Sequence, residues 1–178
     1  MAAHDQSSAS TIARGYNLLM LFAVVTISDR CSQGLMTDTA GPAVVALLGQ
    51  HWPEAEIWTV LLADDENAIA ATLEGLSRQD AALVLTVGGT GLGPRDHTPE
   101  ATCRVIDREA PGLAEAMRSL GAASNPFAWL SRGVAGLIGR TLVINLPGSQ
   151  RGAEESLASI LSLVEHGLHV AAGGQTHP

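Results

Sequence analysis

Apolar runs alternate along most of the chain with segments whose apolar residues repeat at helical spacing. The apolar runs, which predict β-strands, cover residues 19–27, Glu56–Leu62, 82–87 and Thr141–Leu146. The helical segments cover residues 39–50, 67–78, 98–109 and 111–120, with a closing helix from about Arg151. Thr98 is the predicted cap of the third helix, with Pro99 in its first helical position. Strands that alternate with helices predict an α/β domain with a parallel sheet.

The composition supports this fold class. Hydrophobic residues make up 46% of the 178-residue chain, but only three Trp, one Tyr and two Phe are present. The core must therefore consist mainly of Val, Leu, Ile and Ala, as in sheets that helices cover on both faces. We expect one domain over residues 18–170, with a flexible leader at 1–17 and a flexible tail at 171–178.

Charge and cysteine content exclude several classes of function. A net charge of −8, with the acids spread along the chain, disfavours binding to nucleic acid or to an anionic membrane. All ten basic residues are arginine, which excludes Schiff-base chemistry and the lysine of a Walker loop. Cys31 and Cys103 lack the spacing of a zinc site or a disulfide framework, so we expect a cytoplasmic protein. The apolar run at 18–25 is too short to span a bilayer.

Glycine or polar residues follow each of the four predicted strands. The segments read SDRCSQG, ADDEN, GGTGLGPRD and NLPGS in chain order. Ligands of open parallel sheets collect at the carboxyl ends of the strands. We therefore expect these four segments to form one crevice.

The segment VGGTGLGPRDHTPE, residues 87–100, combines four glycines with the start of a helix. Free backbone N–H groups beside a helix N-terminus predict a site for a phosphate or a carboxylate. The segment matches neither the dinucleotide-binding G-x-G-x-x-G pattern, because Pro94 occupies the last glycine position, nor a Walker loop. The alternative is a long turn that needs glycine only for its geometry.

Asp65 and Asp96 each follow a predicted strand at a short interval. Two carboxylates of this kind can hold Mg²⁺, which prefers oxygen ligands and often a phosphate oxygen, so phosphoryl or nucleotidyl transfer is a natural reaction class. Each acid also has a structural alternative. Asp65 could stabilise the start of a helix, and Asp96 could pair with Arg95 or cap its own turn.

Four further residues near the crevice have weaker claims to a chemical role. His97 is more typical of a solvated or capping residue than of a general base. Cys31 has no neighbour in sequence that would favour its thiolate. Ser131 and Arg132 precede a glycine-broken segment, and they either reach a ligand or belong to an ordinary loop.

Five motifs together resemble the MogA/MoaB family of molybdenum-cofactor biosynthesis proteins, which includes the G domain of gephyrin. The motifs are TISDR, VLTVGGTGLGPRDHTPEAT, PGLAEAMR, LSRGVAG and LVINLPGS, in this order. The resemblance extends over residues 19–169 and implies a three-layer α/β/α domain with a mostly parallel sheet. It also implies a homotrimer that binds molybdopterin and transfers AMP to it from Mg-ATP, releasing pyrophosphate.

The resemblance also assigns roles to residues by position. It places Gly88, Gly89, Thr90 and Gly91 in the loop that binds the pterin phosphate, with Ser131, Asn145, Pro147, Gly148 and Ser149 nearby. It places Asp29, Arg30, Gly34 and Asp38 near the nucleotide, and it matches Asp65 and Asp96 to two acids expected to be catalytic and to bind the metal. One departure is Asp64, where many relatives have proline.

Two functions remain open at this point. The first is the adenylyltransferase, and the second is a carrier that binds molybdopterin without catalysis, as related chains that lose ATP chemistry would be. A third and weaker alternative is a related nucleotide-binding enzyme that acts on another phosphorylated heterocycle. We expect molybdate insertion to belong to a separate downstream protein, because a domain of this length is too short to hold both activities.

Overall fold

The computed structural model describes residues 20–174. The predicted leader at 1–17 and the last four residues of the predicted tail lie outside the described residues. The strands are β1 (Leu21–Ile27), β2 (Glu56–Leu62), β3 (Leu83–Val87), β4 (Arg108–Glu109), β5 (Ala135–Ile138) and β6 (Thr141–Leu146). The α-helices are α1 (Asp29–Ser32), α2 (Ala40–His51), α3 (Glu66–Arg78), α4 (Thr98–Val105), α5 (Pro111–Ala122) and α6 (Gln150–Ala171), and a 3₁₀ helix covers Pro126–Leu130.

The strands form one six-stranded sheet in the order β2-β1-β3-β6-β5-β4. The first four strands in this order run parallel, with Phe22 opposite Leu83 and Leu83 opposite Leu142. On the β6 side, β5 pairs antiparallel with β6, and β4 pairs antiparallel with β5. The chain leaves β1 towards β2 and then returns to the other side of β1 to form β3. The order therefore reverses at β1, and the carboxyl ends of β1 and β3 border a crevice at this switch point.

Helices cover both faces of the sheet. On one face, Phe22 and Val24 of β1 belong to a core that also contains buried side chains of α2, α5 and α6. On the other face, Ala23 and Val25 pack with α3 and α4. This alternation is the period-2 pattern of a strand buried on both sides. The predicted three-layer α/β/α fold with a mostly parallel sheet is confirmed. Within the described residues, no helix has the length and apolar character needed to cross a membrane.

Four short elements were not predicted from the sequence, namely α1, β4, β5 and the 3₁₀ helix. β4 has only the two exposed residues Arg108 and Glu109, so it carries no apolar pattern. β5 reads AGLI, which is too short to distinguish from a loop. β5 depends on pairing with β6, and β4 depends on pairing with β5, which local sequence does not encode.

The predicted cap of α4 is wrong by one residue. His97 occupies the N-cap position, Thr98 is already helical, and no side chain caps this end. The hydroxyl of Thr98 instead donates a 2.9 Å hydrogen bond to the carbonyl oxygen of Gly88. The Thr98 side chain therefore joins α4 to the end of β3, and it lies fully buried.

Candidate functional site

The four segments that follow the parallel strands meet at one edge of the sheet, as predicted. Hydrogen bonds join the ends of neighbouring strands directly, from Ser28 N–H to the Leu62 carbonyl and from Gly88 N–H to the Leu146 carbonyl. Residues 88–97, which we call the glycine loop, lie between the segments that follow β1 and β6. The groups that follow all four strands therefore lie together at this edge of the sheet, which we call the crevice.

Gly88 and Gly89 begin the glycine loop in conformations that favour glycine, with φ angles of 110° and 61°. A Cβ on Gly88 would overlap the carbonyl oxygen of Ile27, and a Cβ on Gly89 would overlap Thr98 Oγ1. The fold itself therefore requires glycine at both positions. For these two residues, this agrees with the alternative in which the segment is a long turn that needs glycine for its geometry.

The backbone N–H groups that follow Gly88 are distinguished by their hydrogen bonding. Among the residues that the structure describes, nothing accepts a hydrogen bond from the N–H groups of Gly89, Thr90, Gly91 and Leu92. The N–H groups of Gly148 and Ser149, after β6, are also without acceptors there. Backbone donors in consecutive residues beside a helix N-terminus form a concave site suited to an anion. These residues therefore retain the donors that the anion-site interpretation requires.

Arg132 holds the glycine loop in place. Its guanidinium donates hydrogen bonds to the carbonyl oxygens of Gly91 (2.6 Å) and Asp96 (2.5 Å), and it forms an ion pair with Glu100. This contact lowers the pKa of Glu100. The Arg132 backbone N–H also donates to the Thr90 carbonyl. With its donors occupied inside the protein, Arg132 fixes the loop instead of presenting a free charge, a role that sequence reasoning missed.

Asp29 connects three of the four strand ends. Its carboxylate accepts a hydrogen bond from Asp64 N–H, and its own N–H donates to Asp64 Oδ2, at 3.0 and 3.1 Å. Arg95 donates two 3.0 Å hydrogen bonds to the same Asp29 carboxylate. The Asp64 N–H, followed by Arg95 and His97, lowers the pKa of Asp29. Asp29 and Arg95 therefore neutralise one another, and Arg95 does not pair with Asp96.

Asp64 is the buried member of the adjacent acids Asp64 and Asp65. Only 9% of the residue is exposed, and Oδ1 is a buried atom without a hydrogen-bond partner among the described residues. Burial raises the pKa of Asp64, and the charges of Asp29 and Asp96 raise it further. Sequence reasoning treated Asp64 only as a departure from the family. No local signal marked which of two consecutive acids would point inward.

The two acids singled out from the sequence both have structural partners. Asp65 is exposed and caps α3, where its Oδ1 accepts a 2.8 Å hydrogen bond from Ala68 N–H. Asp96 Oδ2 accepts a 2.7 Å hydrogen bond from Gly93 N–H within the glycine loop. The helix-start and turn-cap alternatives therefore describe real contacts, while one oxygen of each carboxylate remains available. A catalytic or metal-binding role for either acid stays a prediction.

The residues predicted near the pterin divide into two groups. Ser131, Asn145 and Pro147 line one small cavity of about 30 Å³, together with Arg118. Asn145 is buried, and its amide donates to Thr86 and Thr102 while its Oδ1 accepts from Val134 N–H. Gly148 and Ser149 lie further out, at the exposed start of α6, where Ser149 Oγ accepts from Gly152 N–H.

The residues predicted near the nucleotide lie after β1. Arg30 is exposed and forms no ion pair within the described part of the chain. Gly34 occupies an open turn with φ of 72°. Asp38, in contrast, accepts hydrogen bonds from Thr26 Oγ1 and from Ala40 and Gly41 N–H, so its carboxylate stabilises the start of α2.

Replacing Asp64 with asparagine is expected to stabilise the protein at pH 7 by on the order of 1 kcal/mol. The reason is that the folded-state pKa of Asp64 lies above its unfolded value, so the charged form opposes folding at neutral pH. The wild-type protein recovers stability as the pH falls towards the ordinary aspartate value of about 3.9. Urea unfolding at pH 7 and pH 4 should show a gain for Asp64→Asn that is largest at pH 7. A stability gain over the wild-type protein that is smaller at pH 7 than at pH 4 would contradict this interpretation.

Comparisons with known proteins agree with this geometry. Residues 23–166 match the family described as a probable molybdopterin binding domain. A molybdopterin adenylyltransferase from Haemophilus influenzae is 39% identical over 144 residues, which cover 80% of this chain and 73% of that protein. The chain spans 25% and 47% of the lengths of two longer relatives, from Drosophila melanogaster and Synechococcus elongatus.

Solved structures of the same fold are also similar in sequence. The molybdopterin biosynthesis enzyme MoaB from Thermus thermophilus is 43% identical with a TM-score of 0.80, and the match covers 89% of this chain and 99% of that one. A MogA structure is 37% identical with a TM-score of 0.81, and it covers 85% and 99% of the two chains. The chain therefore belongs to the MogA/MoaB family of molybdopterin-binding domains, as its motifs predicted.

Proposed function

We propose that the protein is a molybdopterin adenylyltransferase. An oxygen of the terminal phosphate of molybdopterin forms a bond to the α-phosphorus of ATP, and the bond from that phosphorus to the bridging oxygen breaks. Pyrophosphate leaves with the electron pair. The observation that carries this proposal is the row of N–H groups from Gly89 to Leu92, which have no acceptor among the described residues and lie at the edge of the sheet that also carries Asp96.

The reaction brings an anionic nucleophile towards a triphosphate, so the site must supply position and positive charge more than a base. The N–H groups of the glycine loop and the N-terminus of α4 supply donors for one phosphate. Arg30 is exposed and forms no ion pair among the described residues, and we assign it to the triphosphate. Gly34 leaves that loop open, while Asp29 and Asp38 maintain its shape.

Magnesium fits this site only together with the nucleotide. In the described residues, no group of three or more acids, histidines or cysteines could hold a metal by itself. Mg²⁺ commonly binds one or two carboxylates plus substrate phosphates, and when bound it neutralises charge on the leaving pyrophosphate. Asp65 and Asp96 each keep one carboxylate oxygen for this role.

The pterin side of the site is assigned to the segments after the 3₁₀ helix and after β6. Ser131 and the free N–H groups of Gly148 and Ser149 are available to a polar heterocycle or to its phosphate. Asn145 is a positioning residue, because its amide joins β6 to β3 and α4 from a fully buried position. Pro147 shapes the same turn.

The proposal also covers the oligomeric state of the protein, its cellular location and its downstream partner. We propose a cytoplasmic homotrimer that passes its product to a separate molybdate-insertion protein. Light scattering of the purified protein should give about three times the mass of the chain. A monomer mass at micromolar concentration would contradict the trimer.

The decisive test is release of pyrophosphate from the purified protein with molybdopterin and Mg-ATP. Asp96→Asn is expected to lower turnover at least about 100-fold, because the Mg²⁺ that would neutralise the phosphates loses an anionic ligand. Asp65→Asn keeps the capping hydrogen bond of α3, since Asn caps as well as Asp, and so separates catalysis from helix stability. Turnover that survives in both variants would remove these acids from the reaction. No release by the wild-type protein, with molybdopterin still bound, would identify a carrier instead.

A further inference from the structure

Asp64 has two carboxylate oxygens with different surroundings. Oδ2 accepts the N–H of Asp29 and so has a role in the fold. Oδ1 is the one buried side-chain oxygen in the described chain that lacks a hydrogen-bond partner. Leaving a buried acceptor unsatisfied costs about 1–3 kcal/mol, so an orphaned oxygen in a native site calls for an explanation.

The orphaned oxygen points at the glycine loop. A Cβ on Gly89 would lie only 2.8 Å from Asp64 Oδ1, so the oxygen lies directly against the backbone of the glycine loop. Gly89 is also the first residue of the row of unpaired N–H groups. Asp64 Oδ1 therefore lies beside the place where we assign a phosphate.

The negative charges around Asp64 favour the binding of a cation. Asp29 and Asp96 are near enough to raise the pKa of Asp64 by repulsion, and the nearest cation, Arg95, forms both of its hydrogen bonds with Asp29. No described arginine or histidine forms an ion pair with Asp64. A buried, unpaired carboxylate oxygen beside a phosphate site matches the hard oxygen ligand that Mg²⁺ takes in combination with phosphates.

We propose that Asp64 Oδ1 is a direct ligand of the divalent cation that enters the site with ATP. This inference rests on the proposed function, and it adds a ligand that the sequence motifs do not assign. Asp64 thereby provides the buried ligand of the ion, whereas Asp65 lies exposed on α3 and Asp96 belongs to the glycine loop.

The test uses Mn²⁺ in place of Mg²⁺ and measures binding by electron paramagnetic resonance, without turnover. The full-length protein is titrated with Mn²⁺ and α,β-methylene-ATP, whose α–β bridge cannot be cleaved. Asp64→Asn retains the acceptor for Asp29 N–H and removes the charge. Asp107→Asn is the matched control, because its carboxylate also accepts a backbone N–H, from Gly139, but lies at β4 away from the crevice. Asp64→Ala repeats the test if asparagine prevents folding, and circular dichroism checks each variant.

We expect Asp64→Asn to weaken Mn²⁺ binding in the nucleotide complex at least tenfold and Asp107→Asn to leave it within twofold of wild type. A change of less than threefold in a folded Asp64 variant would overturn the inference while leaving the proposed function intact. Wild-type protein that binds no nucleotide at all would overturn the proposed function, and the inference with it.

Discussion

Gly88→Ala should unfold the protein at a temperature roughly 10 °C below wild type and abolish turnover. The φ of 110° at this position is unfavourable for any residue with a Cβ, which costs about 1–3 kcal/mol. The new methyl group would also overlap the carbonyl oxygen of Ile27, a backbone atom at the end of β1 that no side-chain rotation can move. Overpacking of this kind typically costs a further 1–3 kcal/mol or so.

Gly49→Ala is the matched control for this substitution. Gly49 lies inside α2, and a Cβ there would have no neighbour within 4 Å. Alanine in a helix interior is more stable than glycine by about 0.5–1 kcal/mol, so this variant should melt slightly above wild type. Scanning calorimetry of both variants separates the two effects. A Gly88→Ala protein that melts with wild type would show that the glycine is dispensable.

Arg132→Ala is expected to lower kcat/KM for pyrophosphate release about 100-fold. The guanidinium fixes the carbonyl oxygens of Gly91 and Asp96, so its loss lets the glycine loop shift. A displacement of about 1 Å in a positioning group can cost this much in rate. Arg132→Lys should recover only part of the activity, because an ammonium group lacks the planar fork that reaches several acceptors.

The control for Arg132 is Arg78→Ala. Arg78 forms an exposed ion pair with Glu74 four residues earlier on α3, a contact worth about 0.5 kcal/mol or less. Steady-state kinetics should therefore be unchanged in that variant. If Arg132→Ala loses stability but keeps wild-type kcat and KM, then the arginine supports the fold and does not orient the site.

The central strands and helices of this fold can be predicted from the sequence because each has a distinct pattern of apolar residues. β1, β3 and β6 are continuous apolar runs, since both faces are buried, and α6 shows a regular apolar stripe. β4 and β5 are different, because a glycine-containing tetrapeptide becomes a strand only by pairing with β6, and two exposed polar residues become a strand only by pairing with β5. Their existence is a tertiary effect.

The sequence predicted where in the fold the candidate site would lie, but not which contacts its residues would make. Strand ends rich in glycine and acids predicted that four segments meet at one edge of the sheet, and the structure brings them together there. The pattern could not show that Arg132 would reach back to the loop, 41 positions away from Gly91 in sequence. Nor could it show that Asp64 turns inward while Asp65 caps α3, because the end of β2 fixes that choice through its pairing with β1.

The contacts of Asp29 have a consequence for how the domain acquires its activity. Asp29 is separated by 35 positions from Asp64 and by 66 from Arg95, so these contacts form only after β1, β2 and β3 have paired. Long sequence separations of this kind slow folding, so the proposed nucleotide site is complete only once these strands have paired. Conversely, a nucleotide that binds only the completed crevice draws the whole equilibrium towards the native state. If the proposed function holds, added nucleotide should therefore raise the melting temperature of the entire domain in a single transition, and not merely order one loop.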